Sequence, residues 1–222
     1  MRNRWRPPSL DTIRGIMEPA TQLIEISRAL FGWASFHAQW KVDFNSYALK
    51  TTDGVVFIDP VQPDPALAEK FDALGEPLAI ILTNAHHDRA AGWFRKRYSV
   101  QIYAHERAQS DCDTKIDMRA VSGEMLPGKL KTIFLTGVTT SEMALFTKQS
   151  GGILFIGDAL LNPGGDGLQL LPDQFIEDKK QARESLRKLA EYNFKIATFA
   201  HGDPIIKNAK KAITGFLKKP KR

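Results

Sequence analysis

Four apolar runs of strand length end directly in side chains that bind metals or carry protons. Residues 55–58 end in Asp59. Residues 78–82 lead into Asn84, His86, His87 and Asp88. Residues 153–156 lead through Gly157 to Asp158, and residues 196–200 end in His201. In layered α/β domains, loops at strand ends converge on one rigid edge, so side chains placed there can meet although they lie far apart in sequence. His together with Asp is the donor set of a hard-to-borderline metal site.

Further strand-length runs cover residues 47–50, 101–104, 131–135 and 143–147, most of them bounded by Gly, Pro or Asp. Helical patterns fall between them. Pro63-Asp64-Pro65 opens one, with Asp64 as N-cap and Gly75 at its close. A second follows Asp88 and runs to about Tyr98. Asp178 with Gln181 forms a capping-box pattern for a third, whose Ala182, Leu186, Leu189 and Ala190 share one face. The last is expected from Pro204 to about Lys218, with Ile205, Ile206, Ala209, Ile213, Phe216 and Leu217 facing inward. Strands come first and then alternate with helices, which argues a layered α/β domain. With 222 residues, one core is the simplest division: an extension over residues 1–20 and a single domain over 21–222.

The rest of the composition narrows the function. Cys112 is the one cysteine, so there is no disulfide framework and a cytoplasmic protein is expected. It lies between Asp111 and Asp113, which disfavour a thiolate. No run reaches the length of a membrane span, and no secretory signal follows the arginine-rich start. Of the net charge of +6, Lys207, Lys210, Lys211, Lys218, Lys219, Lys221 and Arg222 supply seven cations with no acid among them. This basic end reads as the solvated face of the last helix; nucleic acid is not the expected partner. No Gly-x-Ser-x-Gly elbow is present. Ser185 to Lys188 matches Ser-x-x-Lys, but Leu186 between them packs a helix face. The Gly-rich stretch 162–167 lacks the Gly-Lys-Ser/Thr of a phosphate loop and reads as a loop after Asp158.

Asn84-Ala85-His86-His87-Asp88-Arg89-Ala90-Ala91-Gly92 resembles the signature loop of the metallo-β-lactamase superfamily, His-x-His-x-Asp-His followed by small residues and Gly. Segments 135–139, 155–159 and 199–204 resemble its later Gly-His-Thr, bridging-Asp and Gly-His-Gly segments, and 56–60 its early Leu-Ile-Asp turn. The motifs keep the family's order over about residues 42–206. The resemblance implies an αββα sandwich with its active site along one edge.

The departures concern the ligands. His86, Asp88, Asp158 and His201 match the family's pattern, whereas Asn84, Arg89 and Val138 stand where it has histidines. The resemblance therefore implies that one metal position is lost and that a second keeps Asp88, Asp158 and His201. Asn-x-His-x-Asp-Arg is similar to the mono-zinc subclass, with Asp158 where that subclass has Cys. The implied activity is that of a hydrolase with at most one divalent cation, zinc first and iron or manganese next. It would activate water against an ester, thioester or amide of a small-molecule substrate. Asp88 and His86 would be catalytic, His86 as a base or substrate contact, while Asn84, Arg89 and Asp59 would orient the loop or the substrate. The alternative is a non-catalytic binding or interaction protein, because Arg89 brings a fixed positive charge to the site and Val138 an apolar surface. His87 could substitute for a missing histidine if the loop shifted, but is expected to point away; His105 is expected in a surface or cap role at a short helix start, and the aromatic stretch from Phe31 to Tyr47, with His37, to cover one sheet face.

Overall fold

The computed structural model describes residues 17–164 and 167–219. Seven strands form the first sheet in sequential order: β1 (Ile24–Ser27), β2 (Leu30–His37), β3 (Val42–Lys50), β4 (Val55–Ile58), β5 (Pro77–Ile81), β6 (Ile102–His105) and β7 (Met118–Ala120). β1 to β4 are antiparallel neighbours and β4 to β7 parallel ones. The second sheet contains β8 (Met125–Leu126), β9 (Leu130–Phe134), β10 (Met143–Thr147), β11 (Ile153–Ile156) and β12 (Ile196–Phe199), in the order β12-β11-β10-β9-β8. Helices α1 (Pro65–Asp72), α2 (Ala91–Tyr98), α3 (Lys179–Ser185) and α4 (Ala209–Lys218) complete the α-helices of the described residues.

The continuous apolar runs make sense once their side chains are divided between layers. In β4, Val55 and Phe57 join the core beneath α1 and α2, while Val56 and Ile58 face the second sheet. In β11, Leu154 and Ile156 join the outer core with α3 and α4, while Ile153 and Phe155 face the first sheet. The side-chain period of two thus buries both faces of each central strand, and the layers run helix, sheet, sheet, helix. This is the αββα sandwich expected from the resemblance.

The helix signals hold where local chemistry decides them. Asp64 accepts from the Leu67 amide at 2.6 Å and Asp178 from the Gln181 amide at 2.9 Å, so each caps its helix. The last helix starts later than expected, at Ala209. Ile205 exchanges two backbone hydrogen bonds with Ala197 of β12, at 2.9 and 2.8 Å. The sheet edge thus takes the Ile205 carbonyl that a helix from Pro204 would need for the Ala209 amide, which donates instead to the Lys195 carbonyl at 3.2 Å, and Asn208 in the left-handed region (φ 57°) makes the break. The stretch 31–47 is not simple cover but the β2–β3 hairpin, turned at Lys41 (φ 52°) without Gly or Pro. His105 ends β6 and does not open a helix; its Nδ1 accepts from the Arg107 amide and its ring stacks on Phe134. Of the expected extension, residues 1–16 lie outside the described residues. Residues 17–20 are tied to the domain by Met17–His37 and Ala20–Pro63 bridges, with Ala20 buried. No helix among the described residues is long and apolar enough to cross a membrane.

Phe57 is fully buried, with ring centroids of Trp33, Phe71, Phe94 and Tyr98 between 4.9 and 6.2 Å away. Phe57→Ala is expected to cost about 3–5 kcal/mol, read as the drop in unfolding free energy in urea.

Candidate metal centre

Asp59 follows β4 with φ 49°, a conformation that turns the chain sharply at the strand end. Its buried carboxylate reaches across to the segment after β5. Oδ1 accepts from the Thr83 amide at 2.8 Å, and Oδ2 accepts from the Thr83 hydroxyl and lies 3.0 Å from His87 Nδ1. Thr83 Oγ1 is also 3.0 Å from that nitrogen. Because Thr83 gives its proton to Asp59, both neighbours of His87 Nδ1 are acceptors. The proton therefore resides on Nδ1, and Nε2 faces inward.

His201, just after β12, is held the same way. Its Nδ1 lies 2.8 Å from the Asp43 carbonyl, an obligate acceptor, so its Nε2 also points inward. Between the two rings stands Asp158, brought in by the turn after β11. Its Oδ1 is 3.4 Å from His87 Nε2 and 3.2 Å from His201 Nε2. One donor atom from each of the three residues lies within 4.8 Å of the others, and this is the one such group among the described residues. Asp158 Oδ1 is buried and accepts no well-aligned hydrogen bond. With both rings neutral, two nitrogen lone pairs and a carboxylate oxygen would face one another. Only a cation or a proton resolves that repulsion, so the chemistry of the set fits a metal ion.

The metal-free charge state meets the same demand by other means. Burial and the charge of Arg89 both oppose a proton on His87, but Asp59 and Asp158 outweigh them and raise its pKa to about 9. Burial also works against ionised Asp158, yet the His87 charge and the contacts with both rings hold its carboxyl well below the usual range.

The expected site residues are only partly brought together. Asp158 and His201 lie in the group. His86 is exposed on a single 3₁₀ turn, Ala85–His87, and His87 occupies the inner position. Asp88 is fully buried, and its Oδ2 accepts from the Asp113 and Thr114 amides at 3.0 Å each. That carboxylate oxygen holds a neighbouring loop and does not join the three donors. Asn84 caps the turn by accepting from the His86 amide at 2.9 Å, and its Nδ2 donates to Asp158 Oδ2 at 3.2 Å. Arg89 donates from Nη1 to the Asn45 and Asp59 carbonyls and lies 4.8 Å over the Phe44 ring, which in turn meets His201 edge-on. Val138 is packed into the outer core, so no ligand comes from its position. The Cys112 thiol is pushed up to about 12, first by burial and then by Asp88, Asp111 and Asp113, which makes it a poor nucleophile.

Glu142 is the residue that sequence reading missed. It is fully buried before β10, where Oε2 accepts from Asn84 Nδ2 at 2.8 Å and Oε1 from the Ala159 amide at 2.9 Å. Burial first, then Asp158, raises its pKa to about 8 against the pull of His87 and these two donors. A lone acid between polar Ser141 and apolar Met143 carries no sequence signal of this.

A model of the metallo-β-lactamase superfamily matches residues 25–216 of the chain. No curated protein matches it. Among solved structures, the chain is similar to a metallo-β-lactamase from Pontibacter korlensis, with TM-score 0.71, 17% identity, and coverage of 90% of this chain and 99% of that one. It is also similar to the FIM-1 metallo-β-lactamase from Pseudomonas aeruginosa in its mono-zinc form, with TM-score 0.71, 16% identity, and coverage of 91% and 96%. A flavo di-iron protein variant from Thermotoga maritima shares the fold at TM-score 0.60 and 18% identity, with coverage of 85% and 59%. The chain belongs to the metallo-β-lactamase superfamily.

A Cβ on Gly157 would stand 2.6 Å from Thr83 Oγ1 and 2.8 Å from Glu142 Oε1, both held by hydrogen bonds. Gly157→Ala is expected to destabilise the protein by about 1–3 kcal/mol, measured by urea unfolding. The metal-free protein should also show a pH dependence. His87, raised from 6.5 to about 9, contributes stability that is complete below pH 6.5 and lost as pH rises through 9. Glu142, raised from 4.5 to about 8, shifts stability in the same direction across the lower part of that window. The urea midpoint of chelator-treated protein is expected to be lower at pH 9 than at pH 6.5; an unchanged midpoint would show that His87 carries no such proton.

Proposed function

We propose that this member of the metallo-β-lactamase superfamily is a hydrolase that holds one divalent cation between His87, Asp158 and His201. The observation that carries this reading is the convergence of two Nε2 atoms and Asp158 Oδ1, with each ring's other nitrogen already engaged. Three protein donors with a position left open is the pattern of catalytic zinc sites; structural sites use four. His201 and Asp158 are each partly open to solvent, which leaves a way in. Imidazole and carboxylate together suit zinc, iron or manganese.

A cation bound there supplies Lewis acidity, lowering the pKa of water to about 7 and polarising a carbonyl. The chain's own residues set the geometry. Asp59 and Thr83 keep His87 in the Nδ1–H tautomer, the Asp43 carbonyl does so for His201, and Asn84 restrains Asp158 Oδ2. His86, exposed on the same turn, would be the imidazole of this loop that contacts substrate. The substrate class is a small ester, thioester or amide. A second reading rests on the His87 proton: an imidazolium between Asp59 and Asp158 balances the cluster without metal, as in a non-catalytic binding protein.

Metal content of untagged protein separates the two. We expect about one zinc, iron or manganese per chain. His201→Ala and His87→Ala are expected to lose it together with more than about 100-fold of any ester or thioester turnover, while His86→Ala keeps the metal. Protein that stays metal-free after incubation with each ion establishes the second reading.

A further inference from the structure

We propose that Glu142 is a positioning residue for the cation site, acting on Asp158 through Asn84. The inference rests on the reading of His87, Asp158 and His201 as that site. Burying a carboxyl group completely is costly unless its oxygens find donors, and the donors found here are not general scaffolding. Its two oxygens each accept from a nitrogen donor that flanks Asp158: Oε2 from Asn84 Nδ2 and Oε1 from the amide of Ala159, the next residue in the chain.

Asn84 transmits the restraint in one direction only. Its Oδ1 is taken by the His86 amide, so the amide cannot flip. Its Nδ2 therefore has to serve both carboxylates, Glu142 at 2.8 Å and Asp158 at 3.2 Å. Holding Asp158 Oδ2 leaves Oδ1 aimed at the two imidazoles. The backbone on either side of Asp158 is confined as well. Ala159 is tied to Glu142, and Gly157 has no room for a Cβ between Thr83 and Glu142. Glu142 is itself anchored where the two sheets meet, because the Met143 amide donates to the Thr83 carbonyl at 2.8 Å. One acid thus sets the direction of the central ligand from three sides.

Glu142→Gln tests this with little change of shape. A Gln amide can accept from only one of the two donors and opposes the other with its own N–H, so the relay breaks. The experiment uses the full chain stripped of metal. It is titrated with cobalt(II) and followed by the visible absorption of the bound ion, with thermal melting of the metal-free protein in parallel. Wild-type protein is expected to bind one cobalt per chain. Glu142→Gln should bind about 10–100-fold more weakly, with an altered spectrum and a melting temperature within a few degrees of wild type. Asn84→Ala should show the same loss, and the double variant no more than either alone. A purely structural Glu142 would lower the melting temperature and leave affinity and spectrum unchanged, which overturns the inference, as do additive losses. If Glu142→Gln fails to fold, Asn84→Ala decides: wild-type affinity overturns the relay and a 10-fold or greater loss supports it. Wild-type protein that binds no cobalt overturns the cation site itself, a result distinct from a wild-type site that Glu142 does not influence.

Discussion

The buried carboxylate of Asp59 is the joint on which the site depends. It leaves the end of β4 in a left-handed turn and spends both oxygens on the segment after β5. With Thr83 it decides which nitrogen of His87 carries the proton, and hence which nitrogen points to Asp158. A charge buried so deeply is stable only when every lone pair has a partner. The Thr83 amide, the Thr83 hydroxyl, His87 and the nearby Arg89 charge meet that demand together. Loss of Asp59 would release the ring and remove the carboxylate that offsets the Arg89 and His87 charges.

The second half of the site comes from the other sheet, and the two halves meet because both sheets end their strands at one edge. β11 delivers Asp158 and β12 delivers His201 in a parallel pair, so the two residues emerge side by side. Tyr47 and Asn45 of β3 hold the end of β12, through bonds to the Phe199 carbonyl at 2.8 and 3.0 Å. Asn45 also receives Arg89 on its own carbonyl. A contact network therefore runs from the hairpin, through Arg89 and Phe44, to His201.

Two of the positions at which the resemblance implies histidines serve packing and hydrogen bonding in this chain. Val138 belongs to the outer core, and Asn84 supplies hydrogen bonds. What remains is three donors, one hydrogen-bond relay and a buried acid behind them. That arrangement suits one cation and leaves no second set of ligands among the described residues.

Much of the fold can be read directly from the chain. Central strands appear as unbroken apolar runs because both faces are buried, and Asp64 and Asp178 mark helix starts through bonds made within three residues. The hairpin of β2 and β3 is harder to see, since its turn uses Lys41 in place of Gly or Pro. The last helix reads too long in sequence because pairing between Ile205 and Ala197 is not local. The sequence by itself determined the layered architecture, the family resemblance, and Asp158 and His201 at their strand ends, all of which depend on period and order. Only the tertiary structure shows that His87, and not the exposed His86, faces Asp158. Successive residues on a 3₁₀ turn point about 120° apart, and the phase of a single turn is set by its cap and its surroundings, not by residue spacing. It also placed Asp88 under a neighbouring loop and Glu142 behind Asn84. A buried polar residue's role depends on which distant donors the fold brings to it, and those partners lie 17 to 58 positions away.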